Sequence, residues 1–169
     1  MNAPRNKDLQ IARRLRGQED SEFGRGFVQQ LLYFQEHFGR IDVQKLYVLN
    51  RVQKGRISKE DALDQYPDLS ADFQIYGDEC LENRISLFMN VTSDHLYDFE
   101  IPDNIPEEIQ KKARELRDLA LEMGHGKGLL DRSFCTIERF ETVRQLVLDV
   151  ARMIDVLVFD VTVDEGEYT

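Results

Sequence analysis

The side chains best able to carry chemistry in this chain are its three histidines and two cysteines. A histidine can exchange protons near neutral pH, and a cysteine thiolate can act as a nucleophile or a metal ligand. The cysteines stand far apart, without the paired spacing of a zinc site or a disulfide framework. We therefore expect two buried, reduced thiols. The five residues are His37, His95, His125, Cys80 and Cys135.

Two local patterns come close to functional motifs but depart from them. Glu122 and His125 have the Glu-x-x-His spacing of di-iron bundles, yet such a site needs a second copy and two further glutamates. Residues 124–128, Gly-His-Gly-Lys-Gly, are too closely spaced for a P-loop, and Leu129 stands where Ser or Thr is required. We expect a flexible helix-to-helix connection here. The sequence predicts no catalytic residue, no metal ligand and no cofactor.

Charge is distributed unevenly along the chain. Residues 1–56 carry eleven Lys/Arg and six Asp/Glu, a net of +5, whereas residues 57–169 carry eleven Lys/Arg and twenty-six Asp/Glu, a net of −15. Within the second part, residues 57–100 alone have a net charge of −9. Such an asymmetry steers which partners a surface meets, so it bears on association and not on catalysis.

The two ends of this asymmetry are the candidate binding residues. Residues 1–17 form a basic N-terminal arm or helix, called the basic arm below, that could contact an acidic protein surface, on this chain or a partner, or nucleic acid. No aromatic residue lies between its cations, so the base-stacking part of a single-strand site is missing. The arm cations are Arg5, Lys7, Arg13, Arg14 and Arg16. The predicted acidic face consists of Asp68, Asp72, Asp78, Glu79 and Glu82.

Hydrophobic periodicity indicates helices throughout residues 18–169, which we treat as one domain. The most regular stripe predicts a long amphipathic helix from Thr136 to about Val161, although the β-branched segment 156–163 could also form a strand. Its residues are Phe140, Val143, Val147, Val150, Ile154, Leu157 and Val161. A second stripe predicts a helix that buries Leu81, Ile85, Phe88, Val91, Leu96 and Phe99. The predicted fold is all-α, an irregular bundle of six to eight helices around the C-terminal helix.

Helix starts are indicated at Asp42, Ser58 and Asn104, because short polar side chains can accept hydrogen bonds from the first turn. Residues 42–85 then outline three short helices with tight connections, as in a helix-turn-helix. The acidic residues that follow the turn would be repelled by phosphates, which disfavours DNA reading by this unit.

We therefore predict a non-enzymatic helical interaction protein, a small subunit, adaptor or regulator of a larger assembly, that uses the basic arm and the acidic body. Self-association through the 136–161 helix is one candidate contact. One alternative is a nucleic-acid-binding regulator using residues 42–85 and the arm, and a related one is an acidic face that imitates nucleic acid. Another is an enzyme or ligand binder whose site, from His37, His95, His125 or Cys135, forms only on folding. No apolar run approaches the ~18 residues of a membrane span, and we expect a cytoplasmic location.

Overall fold

The computed structural model describes residues 25–94 and 100–154, and these residues form helices without any strand. The all-α prediction is therefore confirmed for this part of the chain. The N-terminal arm, His95 to Phe99 and the residues after Ile154 lie outside it. The α-helices are α1 Arg25–Arg40, α2 Val43–Gln53, α3 Lys59–Gln65, α4 Leu69–Tyr76, α5 Cys80–Asp94, α6 Glu107–Gly124, α7 Lys127–Leu130 and α8 Ile137–Met153. Short 3-10 turns cover Gly77–Glu79 and Arg132–Phe134.

Three helix starts follow from side-chain caps. Asp42 accepts a hydrogen bond from the backbone N–H of Lys45, Ser58 from that of Asp61, and Thr136 from that of Arg139. Each cap satisfies one of the N–H groups that has no partner inside its own helix. The prediction of Asn104 as a cap is wrong, because α6 begins at Glu107 after Pro106, whose carbonyl accepts the first backbone hydrogen bonds.

Helix α5 packs against α2, α4, α6, α7 and α8. Its buried side chains follow the helical period and include Leu81, Ile85 and Met89. The predicted burial of Val91 is wrong, since 47 % of this residue is exposed. Leu96 and Phe99 lie outside the described residues. The core-facing side of α5 is therefore rotated from the predicted stripe, which leaves Val91 on the surface.

Helices α6 and α8 pack against each other, and α1 packs against α8. The C-terminal stripe is buried from Phe140 to Ile154 among the described residues. Helix α8 therefore uses its apolar side within its own chain over this range. Whether it continues to Val161 and organises the bundle stays a prediction, since that stretch lies outside the described residues.

Residues 124–128 form the predicted helix-to-helix connection, and they do so as a tight corner with two buried glycines. Helix α7 begins at Lys127, directly after α6 has ended, and both Gly124 and Gly128 are buried. A Cβ on Gly124 would lie 2.4 Å from the carbonyl oxygen of Met89, and one on Gly128 would lie 2.1 Å from that of Met123. Glycine is required here because backbones approach closely.

Candidate interaction groove

The predicted acidic residues lie on α4, on the turn after it and on the start of α5. Asp78 and Glu79 are exposed in the 3-10 turn, and Asp68 is exposed just before α4. Asp72 and Glu82 are only partly exposed, because neighbouring side chains cover them. The prediction thus corresponds to a run of carboxylates from α4 to the first turn of α5.

Cations on the neighbouring helices pair with these carboxylates. Lys45 on α2 forms a salt bridge with Asp68, and Arg84 on α5 forms one with Asp72 and a longer one of 3.9 Å with Asp68. The hydrogen bond from Lys45 lowers the pKa of Asp68 below its ordinary value. These pairs join α2 to α4 and α4 to α5, so they hold three helices in register.

Two further acidic residues of this face, Asp78 and Glu82, have weaker or neutral partners. Lys59 lies 3.4 Å from Asp78, and both side chains are largely exposed. Gln53 donates hydrogen bonds to Glu82 and to the carbonyl oxygen of Asp78. Exposed ion pairs contribute little to stability, typically about 0–1 kcal/mol. Three cations thus pair with members of a face of five carboxylates, so the acidic face is partly compensated and is less negative in space than in sequence.

A groove of about 520 Å³ lies beside this face, between the end of α1, α2, α4 and α5. Its walls carry three exposed apolar side chains: Ile75 is 70 % exposed, Leu87 53 % and Val91 47 %. The charged residues in its lining are Asp42, Lys45, Asp72 and Arg84. Two acids and two bases make the net formal charge of these lining residues zero, and apolar side chains make up most of the rest of the lining.

The base of the groove is aromatic. The rings of His37 and Phe88 stack with centroids 4.2 Å apart and planes 5° from parallel. Phe88 also meets Phe38 and Phe140 edge-on, which connects the groove to the core. Such ring pairs contribute about 0.5–1.5 kcal/mol beyond the area they bury. His37 thus forms part of a stacked aromatic floor, held by α1 and α5.

The other residues singled out for chemistry are spread over the fold. His125 Nε2 lies 2.9 Å from Asp94 Oδ1, where it joins the α6–α7 corner to the end of α5. Cys135 is buried, and its Sγ donates a hydrogen bond to the carbonyl of Met123 at 3.3 Å. Burial raises the pKa of the Cys80 thiol and of the Cys135 thiol. Both are free thiols, as expected.

The remaining sequence predictions concern the basic arm, His95 and the helix-turn-helix outline. The arm residues Arg5, Lys7, Arg13, Arg14 and Arg16 and the histidine His95 lie outside the described residues. The helix-turn-helix outline corresponds to α2, α3 and α4, which follow one another as short helices. The three acids of α3, Glu60, Asp61 and Asp64, are all exposed. This unit therefore presents carboxylates where a DNA-reading helix would need neutral or basic side chains.

Sequence reasoning missed the groove, although one signal was present. Leu87 and Val91 are four residues apart on α5, which places them on one helical face, away from Leu81, Ile85 and Met89. When a helix carries a second apolar strip outside its core-facing side, that strip is available for a contact with another element or chain. The sequence alone could not show which of the two strips faces the core.

Within residues 25–94 and 100–154, no three His, Cys, Asp or Glu side chains are grouped so that they could hold a metal ion. In the same described part of the chain, no helix has the length and apolar character needed to cross a bilayer. No family model matches the chain, and neither does any curated protein or any solved structure.

Proposed function

We propose that this protein is a non-enzymatic interaction protein, a small subunit, adaptor or regulator of a larger assembly, and that its main contact surface is the α4–α5 groove. The observation that carries the proposal is the exposure of Ile75, Leu87 and Val91 along that groove. Large apolar side chains clustered on a surface and rimmed by charged residues are typical of protein contact sites. The basic arm serves as a second, electrostatic contact in this proposal.

The shape and chemistry of the groove favour a helical segment of the partner. An amphipathic helix binds such a groove through apolar residues spaced three or four apart. The neutral lining, with Asp42 and Asp72 against Lys45 and Arg84, suits a partner helix that carries both signs of charge. The aromatic floor of His37 and Phe88 gives that helix a rigid surface to pack on.

We also propose three finer features, which concern the location of the protein, the helix bundle and the C-terminal helix. We propose a cytoplasmic protein whose helices pack as an irregular bundle, with the C-terminal helix continuing toward Val161. The burial of the α8 stripe from Phe140 to Ile154 supports this helix as a core element and not as the pairing surface. We therefore do not propose self-association through the stripe from Phe140 to Ile154.

A site-specific crosslinking experiment tests the groove. A photoreactive amino acid is placed at position 87 of the full-length chain and, as a control, at position 130, because Leu130 is 91 % exposed and lies on α7. We expect a protein adduct at position 87 that is absent at position 130 and is lost when Val91→Glu is added. The same adducts at both positions, or an adduct that survives Val91→Glu, would show that the groove is not the contact surface.

The arm is tested separately with the partner identified from that adduct. Changing Arg13, Arg14 and Arg16 to Glu should weaken binding, and the loss should shrink as salt is raised, because exposed charges are screened. Unchanged affinity would remove the arm from the proposal. A duplex DNA titration at low and high salt tests the nucleic-acid alternative, which predicts binding that falls steeply with salt.

A further inference from the structure

We infer that the partner helix in the groove is α5 of a second copy of this chain, packed antiparallel against α5 around a two-fold axis that passes between Leu87 and Val91 on the exposed face of the helix. This inference rests on the proposed function, since it names the occupant of the same groove. It assigns self-association to the α4–α5 face and not to the C-terminal helix.

The outward face of α5 is the first observation. Four residues lie on it with spacings of three, four and three: Arg84, Leu87, Val91 and Asp94. Residues at this spacing form a single strip along a helix, about 15 Å long at ~1.5 Å per residue. Leu87, Val91 and Asp94 are exposed, and Arg84 is partly exposed. The strip therefore has an apolar middle and opposite charges at its two ends.

This strip is complementary to itself when two copies run antiparallel. Leu87 of one copy then lies opposite Val91 of the other, and Arg84 lies opposite Asp94. Every contact occurs twice, as a two-fold symmetric interface requires. A parallel arrangement would instead place like charges opposite each other, which is unfavourable. The order of the four residues thus selects one orientation.

The charged ends already have partners within the chain but keep capacity for more. Arg84 uses Nη2 to pair with Asp72 and, at 3.9 Å, with Asp68, and Asp94 lies 2.9 Å from Nε2 of His125. A guanidinium has five N–H donors, and a carboxylate can accept about four hydrogen bonds. The intrachain pairs therefore fix the orientation of both side chains while leaving donors and acceptors for the second copy.

The rest of the groove agrees with this occupant. Its lining has equal numbers of acids and bases, so it offers no net attraction to the basic arm, whereas it suits a helix that carries one charge of each sign. Ile75 on α4 stands beside the α5 strip and would extend the apolar contact. The competing apolar stripe of α8 is buried in its own chain from Phe140 to Ile154.

Sedimentation velocity of the full-length chain tests the inference. We expect a concentration-dependent dimer for the unmodified chain. Leu87→Glu should raise the dimer dissociation constant more than tenfold, because it puts a carboxylate against Val91 of the other copy. Leu130→Glu is the matched control and should leave the constant unchanged. A chain that stays monomeric up to about 1 mM, or a dimer that Leu87→Glu leaves intact, would overturn the inference.

A mixing experiment tests the orientation. Arg84→Glu alone and Asp94→Arg alone each place two like-charge pairs in the symmetric dimer, so each should dimerise several-fold more weakly. In a mixed dimer of the two variants, the introduced glutamate faces the introduced arginine, and the native Asp94 faces the native Arg84. An equimolar mixture should therefore recover the dimer.

Circular dichroism melts of both variants check that Arg84→Glu still folds without its pair to Asp72, and Asp94→Arg alone suffices if it does not. Failure of Asp94→Arg to weaken the dimer would overturn the antiparallel register.

The two proposals fail in different ways. A position-87 adduct to a different protein, together with a monomeric purified chain, would keep the groove as a contact surface and overturn the second-copy inference. An adduct of twice the chain mass together with the dimer would support both. A dimer that both Leu87→Glu and Asp94→Arg leave intact would overturn the inference and count against the groove as well.

Discussion

The contact between α5 and α6 can be tested at a single atom by changing Gly124 to Ala. Gly124 is the last residue of α6 and is buried against α5. The added Cβ would lie 2.0 Å from Oγ of Ser93 and 2.4 Å from the carbonyl oxygen of Met89. The hydroxyl can rotate away, but the carbonyl belongs to the α5 backbone and cannot. The two helices must therefore separate or shift along each other.

The size of the effect follows from two opposing contributions. Alanine is favoured over glycine within a helix by about 1 kcal/mol, and less than this applies at a helix end. Overpacking of a close contact costs typically 1–3 kcal/mol and occasionally more, and a backbone carbonyl at 2.4 Å belongs at the upper end. We therefore expect Gly124→Ala to lower the free energy of unfolding by about 2 kcal/mol. That corresponds to a fall in Tm of about 4–8 °C for a chain of this size.

Thermal and urea unfolding followed by circular dichroism measure this change. Ser93→Ala isolates the hydroxyl contact, because it removes Oγ and leaves in place the Met89 carbonyl and the Ser93 Cβ, which would lie 2.7 Å from the added Cβ. If the carbonyl contact dominates, the loss in free energy of unfolding of the double variant should be close to the sum of the two single losses. A smaller loss would measure the share of the hydroxyl contact. If Gly124→Ala were neutral or stabilising, the close approach of α5 and α6 would be refuted. If Ser93→Ala rescued it fully, the carbonyl contact would not be the cause.

Two further predictions concern buried polar groups. Gln35 is 7 % exposed, and neither its Oε1 nor its Nε2 has a hydrogen-bond partner among the described residues. Gln35→Leu should therefore raise the free energy of unfolding by about 1–3 kcal/mol. Gln29→Leu, at an exposed site of α1, is the control and should not raise it. A decrease in the urea midpoint of Gln35→Leu would contradict this. Burial raises the pKa of Cys80 and Cys135 above their ordinary value of 9.0, so near that pH both thiols should react with a maleimide far more slowly in the folded chain than in urea. Because the pKa of each thiol is higher in the folded chain than in the unfolded chain, the contribution of the buried neutral thiols to stability is present below about pH 9 and is lost as the pH rises through the folded pKa values. Equal labelling rates with and without urea would contradict the burial of the two thiols.

The sequence predicted features that depend on local interactions. The caps at Asp42 and Ser58 were predictable because a short polar side chain and the first turn of a helix interact within three residues. Asn104 failed as a cap because Pro106 lies two residues on, and the helix begins after it. A glycine-rich segment such as 124–128 permits both a loose loop and close backbone packing, and only the neighbouring helices determine which occurs.

The candidate groove was harder to predict from the sequence, because it depends on which side of α5 faces the core. Leu81 and Ile85 can belong to either of two apolar stripes on α5, one that continues through Phe88 and Val91 and one that continues through Met89. Helices α2, α4, α6, α7 and α8 all pack on α5, and their combined arrangement selects the side that carries Met89. If the core-facing side of α5 is centred one residue further along the helix, Val91 moves from the core to the surface. Single-chain periodicity cannot resolve a difference that small.

The position of charge in space changes how the acidic segment should be understood. Residues 57–100 have a net charge of −9, which in sequence suggests a surface that attracts any cationic partner. In the fold, Lys45 and Arg84 pair with Asp68 and Asp72, so the side of this segment that borders the groove is close to neutral. The exposed carboxylates of Glu60, Asp61 and Asp64 lie on α3 instead. We therefore propose that long-range attraction of basic partners acts at α3, and that the specific contact, which needs apolar area and paired charges, is made at α5.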